Sequence, residues 1–261
     1  MTLRPDTPAA PLLAAARRLW EDVAGVPASF PPAGEVSVVV SPESGMCPTG
    51  WVGIVGLGGS ALVTAPDERT AATVRVALRR LPVAAVADAA AVRDVLPVTR
   101  VLGPATLAYV SPEGFRRSAA SPPGATPAAE RLEGRHPAVR ALERTAGPDD
   151  AGEAALDEIT SPAFVVRDHG EAVAAGGYRE WPLRTAHLSV LTAPAARGRG
   201  LARTVASAAV AHALAAGLLP QWRARPPASR RVAAALGFEE LGVQLSVEVA
   251  QDRLGVMWPP S

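Results

Sequence analysis

Two glycines and three arginines lie close together near residue 200, in a stretch that could bind phosphate. Residues 190–203 read Val-Leu-Thr-Ala-Pro-Ala-Ala-Arg-Gly-Arg-Gly-Leu-Ala-Arg. The start of a helix leaves backbone N–H groups unpaired and carries a positive partial charge, and glycine lets an anion approach those groups closely. The planar guanidinium groups of Arg197, Arg199 and Arg203 suit phosphate oxygens. The stretch therefore predicts a pyrophosphate-binding turn.

Two familiar phosphate-binding motifs do not fit this turn. A P-loop ends in Gly-Lys-Ser/Thr, and the chain has no lysine. A dinucleotide fingerprint needs a third glycine where Arg203 stands. A second glycine-rich stretch, Gly56-Leu-Gly-Gly59, leads into an apolar strand-like run and not into a helix, so it predicts a hairpin turn.

The charges of the chain are unevenly distributed. Between Trp181 and Phe238 there is no acidic residue, yet this stretch holds eight arginines. The whole chain carries a net charge of +1, so the remainder carries −7. A positive segment of this kind favours an anionic ligand, either a phosphorylated cofactor or a nucleic acid, and the alternative is a solvated basic face.

Cysteines, histidines and apolar runs exclude several classes of protein. Cys47 is the only cysteine, so an internal disulfide cannot form, and the four histidines are too scattered to predict a metal site. No apolar run reaches the ~20 residues that a membrane-spanning helix needs, and Met1 to Pro11 shows no signal-peptide pattern. We expect a cytoplasmic protein with no metal and no membrane partner.

The elements that must position the turn follow from the hydrophobic pattern. An apolar strand at 186–191 leads into the turn, and a long helix from Arg197 to Gly217 follows it. Further elements are predicted on both sides: helices at 136–146, 148–158 and 228–236, and strands at 163–167, 172–178, 219–223 and 241–249. This mixed order predicts an α+β fold with helices packed on a sheet.

These residues resemble the GCN5-related N-acetyltransferase (GNAT) superfamily. The Arg-x-x-Gly-x-Ala at 197–202 is similar to the family's Arg/Gln-x-x-Gly-x-Gly/Ala signature, and residues 190–194 look like its strand into the cofactor loop. Residues 228–238 resemble its last helix, which typically ends in Leu-Gly-Phe as it does here. The resemblance covers about residues 102–249.

The resemblance implies an α/β/α sandwich, in which a mixed, mostly antiparallel sheet splays open and has helices on both faces. Acetyl-CoA would lie in the opening, with its pyrophosphate on the N–H groups of the glycine turn. A backbone N–H near Leu191 or Thr192 would stabilise the developing negative charge. The residues implied to bind the cofactor are Val190, Leu191, Thr192, Arg197, Gly198, Arg199, Gly200, Leu201, Ala202, Arg203 and Ser229.

Three side chains are candidates for the proton transfers of an acyl transfer reaction. His187 lies on the strand before the turn and an imidazole titrates near neutral pH, Glu180 ends the preceding strand, and Ser229 lies on the last helix. The tyrosine and asparagine that the family often carries near its last helix are replaced by Ala233 and Pro226. The usual general acid is therefore absent.

Three functions follow from these patterns. The first is direct transfer of an acetyl group from acetyl-CoA to a primary amine, on a small molecule or a protein, in a ternary complex. The second is a non-catalytic acyl-CoA-binding regulatory module on the same fold. The third is nucleic-acid binding by the arginine-rich segment, which the scarcity of aromatic residues among those arginines disfavours.

The chain is predicted to divide into an N-terminal α+β unit at 1–97, a GNAT-like domain at 98–250 and a tail at 251–261. The N-terminal unit could be a degenerate second copy of the fold, a lid over the acceptor site, or a dimer surface. A homodimer is thus one expectation, and no motif in the sequence names the acceptor.

Overall fold

A computed structural model describes residues 10–118 and 128–250, so the predicted tail at 251–261 lies outside it. The helices are α1 (Ala10–Val23), α2 (Glu68–Leu78), α3 (Ala89–Val95), α4 (Pro137–Ala146), α5 (Pro148–Ala154), α6 (Leu201–Ala215) and α7 (Pro227–Ala235). The strands are β1 (Val36–Val40), β2 (Val52–Leu57), β3 (Ser60–Ala65), β4 (Val98–Tyr109), β5 (Glu130–Leu132), β6 (Ala163–Asp168), β7 (Glu171–Trp181), β8 (Thr185–Thr192), β9 (Leu219–Ala224) and β10 (Glu239–Val249). Short 3₁₀ turns occupy Val83–Ala85, Leu156–Glu158 and Pro194–Ala196.

The described residues form two compact units, one of residues 10–107 with 240–250 and the other of residues between 108 and 239. In the first unit the strands are ordered β1-β3-β2-β10-β4, with β1 parallel to β3 and β2 antiparallel to both β3 and β10. Helix α2 packs on β1 and β3, and Asp67 caps it by accepting a hydrogen bond from the N–H of Thr70 at 2.8 Å. The predicted small α+β unit is confirmed.

The glycine-rich stretch at 56–59 forms a hairpin, but its turn is shorter than predicted. Only Gly58 and Gly59 form the turn, because Leu57 pairs with Ser60 and Gly56 pairs with Ala61. Gly58 and Gly59 have φ values of +58° and +82°. A two-residue hairpin turn with both residues in the left-handed region matches the twist of its strands, and glycine adopts this conformation without strain.

The second unit holds a mixed, mostly antiparallel sheet, ordered β9-β8-β7-β6-β5. The pairs β5–β6, β6–β7 and β7–β8 are antiparallel, whereas β8 and β9 run parallel. Strand β5 was not predicted, since three residues give too short an alternating pattern to recognise. The sheet type matches the prediction from the sequence.

Helices cover both faces of this sheet, as two adjacent glycines of β7 demonstrate. A Cβ atom added to Gly176 would meet the backbone of Val205 in α6 at 3.2 Å. A Cβ atom added to Gly177 would meet Ile159 at 2.7 Å, and Ile159 directly follows the 3₁₀ turn Leu156–Glu158 behind α5. Since neighbouring residues of a strand point to opposite faces, α6 lies on one face and the segment from α5 to Ile159 lies on the other. The predicted arrangement of helices on both faces is confirmed.

The long helix of the second unit begins four residues later than predicted, at Leu201 instead of Arg197. Gly198 and Gly200 have φ values of +80° and +79°, which a right-handed helix does not allow, and Gly200 is the N-cap residue. The residues before them form the 3₁₀ turn Pro194–Ala196. The glycines therefore form the turn itself, and the helix starts directly behind it.

The predicted boundary at 97/98 differs in position from the division into compact units, and it stays a prediction about functional domains. Within residues 10–118 and 128–250, no helix is long and apolar enough to cross a membrane. Over the same residues, no three histidine, cysteine, aspartate or glutamate side chains come together in a way that could hold a metal ion.

Candidate active site

A cleft opens where β8 and β9 separate. The two strands pair over only three positions, from Thr185 opposite Leu219 to His187 opposite Gln221. Beyond that point β8 continues to Thr192 without pairing to β9, and a cavity of about 440 Å³ lies between the strands. The predicted splay of the sheet is therefore present, and residues 188–192 form one wall of the cavity.

Backbone N–H groups of β8 face this cleft. In an antiparallel ladder, residues whose N–H groups bond the neighbouring strand alternate with residues whose N–H groups point away. The N–H of Ala193 donates to Val173 of β7, so the N–H groups of Val190 and Thr192 point away from β7 and toward the side where β9 has separated. The ladder thus favours these two donors over Leu191, whose N–H points toward β7.

The glycine turn closes one end of the cleft, and space is open in front of it. No atom lies within 4 Å of a Cβ atom added at either Gly198 or Gly200. Among the described residues, no hydrogen bond joins the N–H groups of residues 198–203 to another residue. The turn therefore presents unpaired donors at a helix start with nothing blocking them, which is the arrangement that an anion needs.

Carboxylates from outside the acid-free segment neutralise several of its arginines. Arg197 pairs with Asp150 of α5, and Arg225 pairs with Glu153 of the same helix. Arg199 donates to Asp168 at 2.7 Å, and this hydrogen bond lowers the pKa of the Asp168 carboxyl. Asp150 and Glu153 line the cavity. The sequence shows a positive segment without acidic residues of its own, whereas in the fold acidic residues from other segments pair with three of its arginines.

The cavity lining includes all the sequence-predicted cofactor residues except Arg199, whose side chain reaches toward the end of β6. Thr192 lines the cavity, and its hydroxyl oxygen is buried with no hydrogen-bond partner among the described residues. Ser229 accepts a hydrogen bond from the indole N–H of Trp222 at 2.9 Å. Because an indole nitrogen only donates, the Ser229 hydroxyl proton stays available for another acceptor.

The three predicted catalytic side chains do not come together. Ser229 lines the cavity, whereas His187 and Glu180 do not. His187 pairs across the sheet with Arg179, and Glu180 pairs with Ala186, so His187 and Glu180 point to opposite faces. Glu180 is exposed. The geometry keeps His187 close to the cleft and directs Glu180 away from its face.

His187 lies among aromatic, amide and cationic groups. Its ring stacks on Trp181 with centroids 4.4 Å apart and an interplanar angle of 17°. Its Nδ1 atom is 3.0 Å from Oε1 of Gln221. Burial, followed by the positive charge of Arg223, lowers the pKa of His187 to about 3, so the imidazole is neutral at physiological pH.

The positions of the family's usual tyrosine and asparagine do not supply a proton donor here. Ala233 is buried in the core between α7 and the sheet. Neither described tyrosine replaces it in the cavity: the hydroxyl of Tyr178 bonds Nδ1 of His212 at 2.9 Å, and that of Tyr109 accepts from Gln221 at 2.8 Å.

Asp150, Glu153 and Gln221 were not predicted from the sequence as part of this region. Asp150 and Glu153 belong to a short acidic helix that is far from the glycine turn along the chain. Acidic residues near the start of a helix usually interact favourably with the helix dipole, so their presence there indicates no binding role. Gln221 lies in an apolar strand, and only its pairing with His187 indicates a role near the cleft. None of the three belongs to a local motif.

The family model for GNAT acetyltransferases matches residues 164–242. Over these residues the chain is similar to the GNAT acetyltransferases. The match begins in β6, includes the cleft, the glycine turn and α7, and confirms the resemblance found in the sequence over that range. The matched family is one of acyltransferases, and α4 and α5 lie outside the matched residues.

Solved GNAT structures resemble this chain at low identity. A GNAT-family acetyltransferase from Novosphingobium aromaticivorans is 24% identical, with 59% of this chain and 67% of that chain covered and a TM-score of 0.44. A GCN5-related N-acetyltransferase from Kribbella flavida is 18% identical, covering 65% and 66%, with a TM-score of 0.46. An acetyltransferase of the GNAT family from Colwellia psychrerythraea is 15% identical, with 71% of this chain and 75% of that chain covered and a TM-score of 0.44. None of the curated proteins matches the chain.

Proposed function

We propose that this protein transfers an acetyl group from acetyl-CoA to a primary amine by direct transfer in a ternary complex. The observation that carries the proposal is the glycine turn at the end of an open cleft, where two positive-φ glycines leave free space in front of unpaired N–H groups. A diphosphate fits this turn, since its charge and its acceptor oxygens match the helix start.

The chain's residues would hold acetyl-CoA along the cleft. The N–H groups of residues 198–202 would bind the pyrophosphate, and Arg203 would add positive charge beside it. The Thr192 hydroxyl, buried without a partner, would gain one from the ligand. Arg197 would exchange its surface ion pair with Asp150 for a phosphate contact, which is feasible because such pairs are worth about 1 kcal/mol or less.

When bound, acetyl-CoA supplies an activated acetyl thioester with a tolerable leaving group. The N–H of Val190 or Thr192 would donate to the carbonyl oxygen as negative charge develops on it. The Ser229 hydroxyl, which accepts from Trp222 and keeps its own proton, would donate a hydrogen bond to the departing sulfur, directly or through a water, and so stabilise its negative charge. This assigns to Ser229 the part that a tyrosine often takes in the family.

The second candidate is a non-catalytic acyl-CoA-binding module. The buried Ala233 at the usual tyrosine position favours it, because the cavity then lacks the phenolic hydroxyl that would protonate the leaving sulfur. Acetyl-CoA turnover against a panel of primary amines separates the two functions: transfer to any of them supports the enzyme, whereas calorimetric binding of acetyl-CoA with no transfer supports the module. The acceptor, a homodimeric state and a cytoplasmic location stay predictions.

Replacing Gly200 by glutamate tests the site itself. The carboxylate would enter the open space in front of the turn and repel the diphosphate, so we expect acetyl-CoA affinity to fall about 100-fold, or ~2.7 kcal/mol. Gly170 is a matched control, since its φ is +84° and its Cβ position is equally open, but it lies in the β6–β7 turn. Gly170→Glu should keep normal affinity. Normal binding by Gly200→Glu would contradict the site.

A further inference from the structure

A chain of three hydrogen-bonded side chains lies where β8 and β9 begin to separate. Gln221 is fully buried, and its Nε2 donates to the hydroxyl of Tyr109, which is also fully buried, at 2.8 Å. The other end of the same amide, Oε1, is 3.0 Å from Nδ1 of His187. Nothing in the sequence motifs includes Tyr109 or Gln221.

This chain of contacts selects one tautomer of His187. In the structure the NH₂ end of the Gln221 amide donates to the Tyr109 hydroxyl, and the carbonyl end faces the imidazole. A carbonyl oxygen only accepts, so with the amide in this orientation Nδ1 of His187 carries the proton. In a neutral imidazole the lone pair then lies on Nε2.

The imidazole is close to the cleft and on the right face of β8. His187 and Gln221 form the last pair before the strands diverge. Ser189, two residues further along β8, points to the same face and lines the cavity, about 7 Å away at 3.3 Å per residue. The glycine turn follows the C-terminal end of β8. An acetyl-CoA molecule whose diphosphate binds that turn and whose acyl arm runs back along β8 would therefore bring its thioester toward His187. Stacking on Trp181 fixes the plane of the ring.

We propose that Tyr109 and Gln221 are positioning residues that hold His187 as the Nδ1–H tautomer, so that Nε2 accepts the proton lost by the acceptor amine. This inference rests on the proposed acetyltransferase function. The amine nitrogen forms a bond to the acetyl carbon, the carbon–sulfur bond breaks, and its electron pair leaves with the sulfur. The proton passes from nitrogen to Nε2 and then to the thiolate, which gives an amide and coenzyme A.

The charges around His187 support acceptance of a proton only late in the reaction. Arg223 of β9 and Arg179 of β7 face the ring, and Glu158 pairs with Arg179 at 2.6 Å. Burial, and after it the two cations, hold the pKa of His187 low, so it does not deprotonate an ammonium ion. Its proton source is instead the amine nitrogen after the new bond begins to form, when that nitrogen is far more acidic.

Nitrogen NMR of protein labelled in its histidines tests the tautomer without any substrate. We expect Nδ1 of His187 to be protonated and Nε2 to be unprotonated. Tyr109→Phe removes only a hydroxyl and frees the amide to rotate, so the His187 signals should move toward a mixture of tautomers. Tyr178→Phe is the matched control, since it also removes a tyrosine hydroxyl, the one bonded to His212, and should shift the His212 signals alone. A wild-type His187 protonated at Nε2 would overturn the proposal.

Kinetics test the positioning role. We expect Tyr109→Phe to lower kcat about tenfold, below the 10²–10⁴-fold typical of removing a general base, with the KM for acetyl-CoA unchanged. Gln221→Glu places a carboxylate at Nδ1, raises the imidazole pKa and should add an acidic limb to the pH–rate profile. Unchanged kcat and pH profile in both variants would overturn this inference alone. A wild-type protein that binds acetyl-CoA but acetylates no amine would overturn the proposed function as well.

Discussion

His187 is a group whose setting links its ionisation to stability. Its pKa falls from the ordinary 6.5 to about 3 on folding, mainly because of burial. Between these two values the unfolded chain binds a proton that the folded chain does not, so protonation favours unfolding and stability is lost as pH falls through that window. The loss is a property of the folded environment and not of the reaction.

Replacing His187 by glutamine should remove this pH dependence. We expect the wild-type free energy of unfolding to fall more steeply than that of His187→Gln as the pH is lowered from 7 to 4.5. Urea denaturation of both proteins at several pH values measures the two slopes, and the wild-type protein in the same buffers is the reference. Parallel slopes would mean that His187 is not held neutral by the fold.

At the residue scale, the sequence reveals side chains that belong to a local motif. Gly198, Gly200 and Arg203 were recognised because helix-start chemistry needs them within a few residues of each other. Gln221 and Asp150 could not be recognised, since their roles depend on pairing across the sheet and on contacts between distant segments. A single sequence carries no signal for either.

At the scale of elements, the short helix α5 joins two sides of the cleft through ion pairs. Asp150 pairs with Arg197 in the glycine turn, and Glu153 pairs with Arg225 after β9. Both acids line the cavity, where a polyphosphate ligand would compete with them for the arginines. We expect Asp150→Asn to raise acetyl-CoA affinity two- to fivefold at low salt, or up to about 1 kcal/mol, and less at high salt.

Asp149→Asn is the matched control for this effect. Asp149 lies in the same first turn of α5 and carries the same charge, but it does not line the cavity and forms no ion pair among the described residues. Calorimetric titration at two salt concentrations compares the variants. Equal gains in both would assign the effect to general charge, and no gain in Asp150→Asn would contradict competition for Arg197.

Element types were easier to predict than their ends. The alternating pattern at 186–191 and the long apolar run behind the turn gave strand and helix correctly, because both patterns span several residues. The start of α6 at Leu201 depends on the backbone angles at Gly198 and Gly200, which glycine permits but does not dictate. Position 200 as the N-cap residue is therefore a property of the fold.

At the scale of the molecule, strand β10 connects the end of the chain to the first unit. It pairs with β2 over six positions, from Gly242 to Val247. A fragment of residues 98–250 lacks β2 and β3, and would leave β10 as an apolar edge. We expect this fragment to aggregate, while the full chain does not.

Size-exclusion chromatography and thermal unfolding of the fragment and the full chain measure this difference. A monomeric fragment with cooperative unfolding would contradict it, and would support the functional boundary at 97/98 that the sequence suggests. Long-range pairing of this kind is invisible in composition and periodicity, since β10 reads simply as a strand.

A crystal structure with coenzyme A tests the central claim most directly. We expect the diphosphate within 2.7–3.2 Å of backbone N–H groups between Gly198 and Ala202, with the rest of the ligand between β8 and β9. A diphosphate bound elsewhere on the chain, with the glycine turn empty, would contradict the site and the acetyltransferase proposal that rests on it.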